Sequence, residues 1–339
     1  MFFSNKNRHL FLWLITTFFF TGCNPKNQEP TPAATGNPAI DQLTATIAQS
    51  PDDASLYAAR GEQYYLNESY DEAIADMQKA IELQPDNISY RHLLADVYLD
   101  YFQSRPALET MEQTVRAFPG NKPSYLKLAE FQLILKLYDG ALATLTQLEK
   151  IDPLLADLFF MRGLVYKEME QADVAIENFK LAVQQDAAIV DAWMNLGQLY
   201  AEKGDKIALE YFDTAIEIAP NSVEARHAKG YYLQDVNDLE GAVAVFREIG
   251  TLNPQYHEAF YNAGLILLDM DSLQAAFQQF DIAVQTRPAE AKYYYYRGVT
   301  LELMGQFDRA SKEYEQCLIF DTTFEAAQDG LDRIKKLSE

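Results

Sequence analysis

Seven prolines set the frame of this chain. Pro51, Pro85, Pro119, Pro153, Pro220, Pro254 and Pro288 are separated by 34, 34, 34, 67, 34 and 34 residues. A fixed period of that size marks a stack of similar supersecondary units. Each is too small to bury its own apolar face, so neighbours must cover one another. Aligned on the prolines, the chain contains eight repeats: 54–87, 88–121, 122–155, 156–189, 190–222, 223–256, 257–290 and 291–324. Ala187 replaces the proline of the fourth repeat and Thr322 that of the eighth. The fifth repeat is one residue short, and the spacing of 67 follows from that loss, which is placed at its internal turn around Gly204-Asp205.

Each repeat reads as two amphipathic helices, because apolar residues recur at three- and four-residue steps on either side of a turn. Place eight is always small: Gly61, Ala95, Ala129, Gly163, Gly197, Gly230, Gly264 and Gly298. Place twenty is alanine in every repeat: Ala73, Ala107, Ala141, Ala175, Ala208, Ala242, Ala276 and Ala310, with Ala208 as the equivalent in the short one. Four residues further stands a bulky apolar group: Met77, Met111, Leu145, Phe179, Phe212, Phe246, Phe280 and Tyr314. Small residues at the helix crossing let the backbones approach; overpacking there costs about 1–3 kcal/mol. The proline is read as the end of the second helix, since it cannot continue the hydrogen-bonded ladder.

This pattern resembles the tetratricopeptide repeat (TPR), with its Trp/Leu/Gly/Tyr, Ala/Phe/Ala and Pro signature. The fifth repeat carries it most fully, in Trp193, Leu196, Gly197, Tyr200, Ala208, Phe212, Ala215 and Pro220. The resemblance covers residues 54–324 and implies an all-α fold, a right-handed α-solenoid of eight TPR helix pairs. Residues 39–53 read as an N-terminal capping helix, a half-repeat with Ala39, Leu43, Thr46 and Pro51 in second-helix places. Residues 325–339 read as a C-terminal capping helix, with Ala326, Leu331, Ile334 and Leu337 on a charged background and Gly330 as its weak point.

The N-terminus reads as an address. Lys6 and Arg8 precede an apolar run from Leu10 to Phe20, too short to span a bilayer comfortably and suited to a signal peptide. Phe20-Thr21-Gly22-Cys23 resembles a bacterial lipobox, with Phe20 where leucine is usual. The resemblance implies that residues 1–22 are a lipoprotein signal peptide, cleaved before Cys23, whose thiol then carries the lipid. An ordinary secretory signal or an uncleaved anchor is the alternative. Several acyl chains on one cysteine anchor durably where a single chain does not. Asn24 is not the aspartate of the enteric inner-membrane retention rule, so the expected address is the bacterial outer membrane, lipid-anchored, with its facing side open. Residues 23–38, rich in Pro, Asn, Thr and small side chains, read as a flexible tether.

The chain has 28 Lys+Arg against 50 Asp+Glu, a net charge of −22. Without Lys6 and Arg8 of the signal, 26 bases face 50 acids and the net charge is −24. Such acidity argues against a nucleic-acid partner, which needs cations to displace phosphate counterions. No phosphate loop, HExxH or GxSxG motif occurs. His92, His227 and His257 fall in three different repeats, and Cys317 occupies a small-residue core place. The expectation is a chain that is not an enzyme, with no catalytic residue, metal, cofactor or small-molecule substrate.

In this family the first helix of each repeat lines a groove, through places two, five, nine, twelve and thirteen. Carried over by register, Phe160, Met194, His227, Tyr261 and Tyr295 at place five and Tyr231 at place nine form an apolar and aromatic track. It either packs apolar side chains of a partner segment or packs against the neighbouring repeat. Thirteen of the forty groove places are acidic, among them Asp157, Glu168, Asp191, Glu202, Glu224, Asp235, Glu258 and Asp269; Lys167 and Lys292 are the bases. The four acids at place two, Asp157, Asp191, Glu224 and Glu258, also suit helix starts. A class of these repeats clamps C-terminal carboxylates through Lys and Asn at places five and nine. Here Ala58/Glu62, His92/Asp96 and Leu126/Glu130 stand there, so that clamp is missing. The function expected is a membrane-anchored, non-catalytic protein–protein interaction scaffold of the cell envelope, binding a basic or mixed basic-apolar protein or peptide. A structural spacer or self-assembling subunit without a groove ligand is the alternative.

Overall fold

A computed structural model describes residues 36–338. Residues 1–35, with the signal segment, Cys23 and most of the tether, lie outside the described residues. The described residues form eighteen helices and no strand. None of these helices is long and apolar enough to cross a membrane. The described residues divide into two compact units, one ending at Asn87 and the other starting at Ile88.

The first unit holds α1 (Pro38–Ile47), α2 (Ala54–Leu66) and α3 (Tyr70–Leu83). Asn37 caps α1 by accepting from the Ala39 and Ile40 amides, and Pro38 is already helical, so the tether ends one residue earlier than its composition suggests. The buried residues of α1 are Ile40 and Ile47, whereas Ala39, Leu43 and Thr46 are only half-buried. Arg60 on α2 reaches across to Asp76 on α3, with Nε 2.7 Å from Oδ2.

The second unit holds the remaining pairs. First helices are α4 (Ile88–Asp100), α6 (Lys122–Ile134), α8 (Ala156–Glu168), α10 (Val190–Glu202), α12 (Val223–Asp235), α14 (His257–Asp269) and α16 (Ala291–Leu303). Second helices are α5 (Ser104–Ala117), α7 (Tyr138–Ile151), α9 (Ala172–Gln185), α11 (Ala208–Ile218), α13 (Leu239–Leu252), α15 (Leu273–Thr286) and α17 (Phe307–Phe320), followed by α18 (Glu325–Ser338). Each helix packs on the next, and successive first helices also touch, as α6 does α8 and α10 does α12. This is the all-helical solenoid that the period demands. The crossing places are filled as their sizes require: all eight alanines at place twenty are fully buried. A Cβ added to Gly163 would stand 2.7 Å from the Phe179 ring, so glycine there makes room for the ring.

Proline alone does not end the second helices. α9 stops at Gln185 and α17 at Phe320, two residues before Ala187 and Thr322, the same offset as where proline stands. There the Asp186 carboxylate accepts from the Ala188 amide at 2.9 Å, and Asp321 accepts from Thr323 at 2.9 Å. These side-chain turns offer the backbone an alternative to the ladder and end the helix without a ring.

The turn between paired helices is left-handed at place fifteen throughout. Gly204 and Gly305 occupy it in two repeats; Glu68, Phe102, Lys136, Glu170, Asn237 and Asp271 do so elsewhere, at φ between +54° and +63°. Phe102 has φ +59° and is 92% exposed, so its Cβ strain is offset by no burial. Phe102→Gly is expected to raise the unfolding free energy by about 0.5–1 kcal/mol, read by urea titration. A loss of stability would show that the ring makes a contact worth more than the strain.

In the short fifth repeat this turn keeps its form: Gly204 has φ +69° and the Asp205 amide reaches back to the Tyr200 carbonyl, as Ser69 does to Tyr64. The missing residue is absorbed just after it. Ala208 and Leu209 donate three residues back, to Asp205 and Lys206, and α11 has 11 residues where its counterparts have 14. The loss thus falls in the first turn of the second helix rather than in the loop.

At the far end, α18 buries Ala327, Gly330 and Ile334. Gly330 is no weakness. A Cβ there would lie 2.5 Å from the Tyr314 ring, which is held between Gly330 and Gly298. The cap can close on Tyr314 only because that position is bare.

Candidate binding site

The first helices α8, α10 and α12 wall a cavity of about 840 Å³ in the second unit. Phe160 and Leu164 come from α8, Met194 from α10, and Tyr231 and Tyr232 from α12, with Phe212 of α11 and Gly204 of the shortened turn completing the apolar wall. Asp191, Glu202 and Asp235 supply carboxylates, Asn195 and Gln198 amides, and no lysine or arginine lines it. Helical register explains the convergence. Asp191, Asn195, Gln198 and Glu202 recur every three or four residues, Met194 lies four before Gln198, and all five share one face of α10.

The charges around the cavity are segregated. Basic residues at place seven are consumed by acids of second helices. Arg162 pairs with Glu149 at 2.7 Å, Lys229 with Asp213 at 2.6 Å, and Arg297 with Glu313 at 2.7 Å and Asp281 at 2.6 Å. Among the described residues, Asp191, Glu202 and Asp235 have no ion pair within 4 Å. Among the acidic groove places, Asp96 meets Lys127 at 2.7 Å and Glu302 meets Arg333 at 3.0 Å.

The helix termini sharpen this. Asp157, Asp191, Glu224 and Glu258 lie in first turns, where the helix dipole favours an anion. Glu168, Glu202, Asp235 and Asp269 are instead the last residues of α8, α10, α12 and α14. A carboxylate at that end opposes the dipole and costs about 0.3–1 kcal/mol. The helix dipole does not account for them.

Six of the fourteen groove residues read from the sequence meet in the cavity: Phe160, Met194, Tyr231, Asp191, Glu202 and Asp235. The others lie elsewhere. Glu168 lines a smaller neighbouring pocket with Lys167, Glu170 and Glu202. Asp157 and Asp269 are exposed on α8 and α14, and Glu224 accepts from the Ser222 hydroxyl at 3.0 Å. Glu258 lies 3.6 Å from His257 Nδ1. His227 is half-buried with its ring 4.6 Å from Tyr231, and burial lowers its pKa against the opposing pull of Glu258 and Glu224.

Tyr261 and Tyr295 spend their ring faces on neighbours. Tyr261 packs 5.2 Å from Tyr293 and 5.5 Å from Tyr296, with Lys292 Nζ 5.0 Å above it, and burial followed by Tyr296 raises its hydroxyl pKa. Tyr295 packs 5.0 Å from both Tyr296 and Phe324. Tyr261 is glue between the seventh and eighth repeats, Tyr295 packs within the eighth, and the strip open at the cavity is Phe160, Met194 and Tyr231. Cys317 is fully buried, and burial pushes its thiol to about 11.

Sequence reasoning missed Asn195, Gly204, Phe212 and Tyr232 as lining residues. The signal for their place was present: the spacing of 67 marks the repeat whose turn and shortened second helix border the cavity.

A profile described as TPR repeat matches residues 61–100. Two described as Tetratricopeptide repeat match 160–223 with 227–291, and 291–318. The chain carries tetratricopeptide repeats. The solved C-terminal part of a TPR repeat-containing protein from Cytophaga hutchinsonii is similar in fold, with TM-score 0.59 and 17% identity. The match covers 71% of this chain and 99% of that one. Among curated relatives, human Protein O-mannosyl-transferase TMTC1 is 30% identical over 174 residues, half of this chain and 20% of that protein. The Hsp70-Hsp90 organizing protein of Triticum aestivum is 20% identical over 273 residues, 80% of this chain and 42% of that protein. The chain spans less than half the length of these two relatives, and the likeness resides in the tetratricopeptide repeats.

Proposed function

We propose that this chain is a non-catalytic scaffold that holds a basic, apolar-containing segment of a partner protein in the cavity of α8, α10 and α12. Tetratricopeptide-repeat proteins generally act as protein-interaction scaffolds. One observation carries the finer reading: a cavity of about 840 Å³ with an apolar and aromatic wall and three carboxylates without an ion pair among the described residues. A cationic segment offsets the dipole penalty at Glu202 and Asp235, while its apolar side chains cover Phe160, Met194 and Tyr231. The transferase activity in the human relative's name stays with that protein, of which this chain matches a fifth.

The test is titration of the full chain with three short synthetic peptides: alternating Lys/Phe, alternating Glu/Phe and alternating Lys/Ser. The Lys/Phe peptide is expected to bind at least about tenfold more tightly than either other. Equal binding of all three, or of none, overturns the reading.

The second half of the proposal is the address. Cys23 carries the lipid that fixes the chain to the bacterial outer membrane, and the support is the lipobox-like Phe20–Cys23 segment. Intact mass of the membrane-bound protein is expected to show an acylated N-terminus at Cys23, and Cys23→Ser should release the chain from membranes. An N-terminus elsewhere contradicts it.

A further inference from the structure

Lys167 stands apart from the other bases near the cavity, because it holds amides rather than acids. Its Nζ lies 2.7 Å from Asn195 Oδ1 and 2.8 Å from Gln198 Oε1, reaching from α8 to α10. An ammonium has only donors, so it fixes which way both amides face: oxygen to the lysine, nitrogen away. For Asn195 the nitrogen is then spent, since its Nδ2 donates to the Asp191 carbonyl at 2.8 Å. Gln198 is exposed and lines the cavity, and no acceptor for its Nε2 occurs among the described hydrogen bonds. Lys167 itself lines the smaller pocket with Glu168, Glu170 and Glu202. Burial lowers its pKa, against the pull of Glu202 and Glu168. At place twelve the other repeats have Tyr65, Leu99, Leu133, Ala201, Gln234, Leu268 and Glu302, so this lysine belongs to the cavity's own repeat pair.

We propose that Lys167 is a positioning residue that turns the Gln198 amide N–H toward the cavity, so that the site reads a carbonyl oxygen of the bound segment. This rests on the cavity being the binding site. The carboxylates attract any cationic segment, and Gln198 adds a requirement for an acceptor, supplied by an extended main chain whose carbonyls are free. A helical segment, whose interior carbonyls are already bonded, satisfies that requirement poorly.

Two substitutions separate this from plain electrostatics by sign. Lys167→Met keeps the apolar stem and removes a cation, so electrostatics alone tightens a cationic peptide. Gln198→Glu adds an anion and can ion-pair with Lys167, so electrostatics alone again tightens it, with stability kept. Loss of the positioned donor predicts the reverse. Both variants of the full chain should bind the Lys/Phe peptide about three- to tenfold more weakly than the parent, the range of one hydrogen bond. Lys167→Arg should restore most of the affinity.

A readout without peptide completes the test. With ¹⁵N-glutamine labelling, the Gln198 side-chain amide protons should show contacts to cavity-lining side chains in the parent and lose them in Lys167→Met. Tighter binding by either variant, or an amide spectrum unchanged in Lys167→Met, overturns the proposal. If the peptide fails to bind the parent, the function proposed above falls, and the amide spectrum still decides the role of Lys167.

Discussion

Phe179→Ala is expected to lower the unfolding free energy by about 3–5 kcal/mol, because the ring is fully buried where α8 and α9 cross and its loss leaves a cavity there. Gly163→Ala is expected to cost about 1–3 kcal/mol for the opposite reason. Its new Cβ would stand 2.7 Å from that ring, inside contact distance. The chain itself shows how the two are coupled. Where place twenty-four carries Phe179, Phe212, Phe246, Phe280 or Tyr314, place eight is glycine. Where it carries Met111 or Leu145, place eight is Ala95 or Ala129; Met77 stands opposite Gly61, whose added Cβ would lie 2.5 Å from the Met77 methyl. The methyl and the ring compete for one volume. The double variant Gly163→Ala, Phe179→Leu copies the third repeat and should cost less than the sum of its parts by about 1 kcal/mol or more. Urea unfolding of the four proteins measures this. Additive losses would show that the two side chains do not share a space.

The repeat period and the sizes at the crossings were legible because each is a local demand made eight times over, and the helices begin where the period places them. What ends the second helices was not so readable. The prolines drew attention, while Asp186 and Asp321 perform the same task through their carboxylates. Gly330 is a related case: within one helix it is a weak residue, and only the Tyr314 ring from α17 gives it a purpose.

The site was half legible. Register put Asp191, Met194 and Tyr231 on the first-helix face, but register cannot say which rings turn inward. Tyr261 of α14 does so because Tyr293 and Tyr296 of α16 offer it partners, and Tyr295 because Tyr314 of α17 and Phe324 just beyond that helix do, contacts between residues far apart in the chain. Nor does composition show that Arg162, Lys229 and Arg297 are bound to second-helix acids, which leaves the cavity's carboxylates without ion pairs among the described residues.

The second large effect concerns those carboxylates. Glu202→Lys with Asp235→Lys should weaken the Lys/Phe peptide at least about 100-fold, near 3 kcal/mol, since two attractions become repulsions beside an apolar wall. The same change should leave stability equal or raise it by up to about 1–2 kcal/mol, because a cation at the end of α10 and of α12 complements the helix dipole. Binding and stability are thus expected to move in opposite directions, as happens where function is kept at a cost to the fold.

The direct measurement is calorimetric titration of the full chain and of Glu202→Lys/Asp235→Lys with the Lys/Phe peptide, at low and at moderate salt, beside a thermal melt of each. The account predicts affinity in the parent that falls as salt rises, its near loss in the variant, and an unchanged or higher melting temperature. Equal affinity in the two proteins, or a variant that loses binding only because it unfolds, would contradict it.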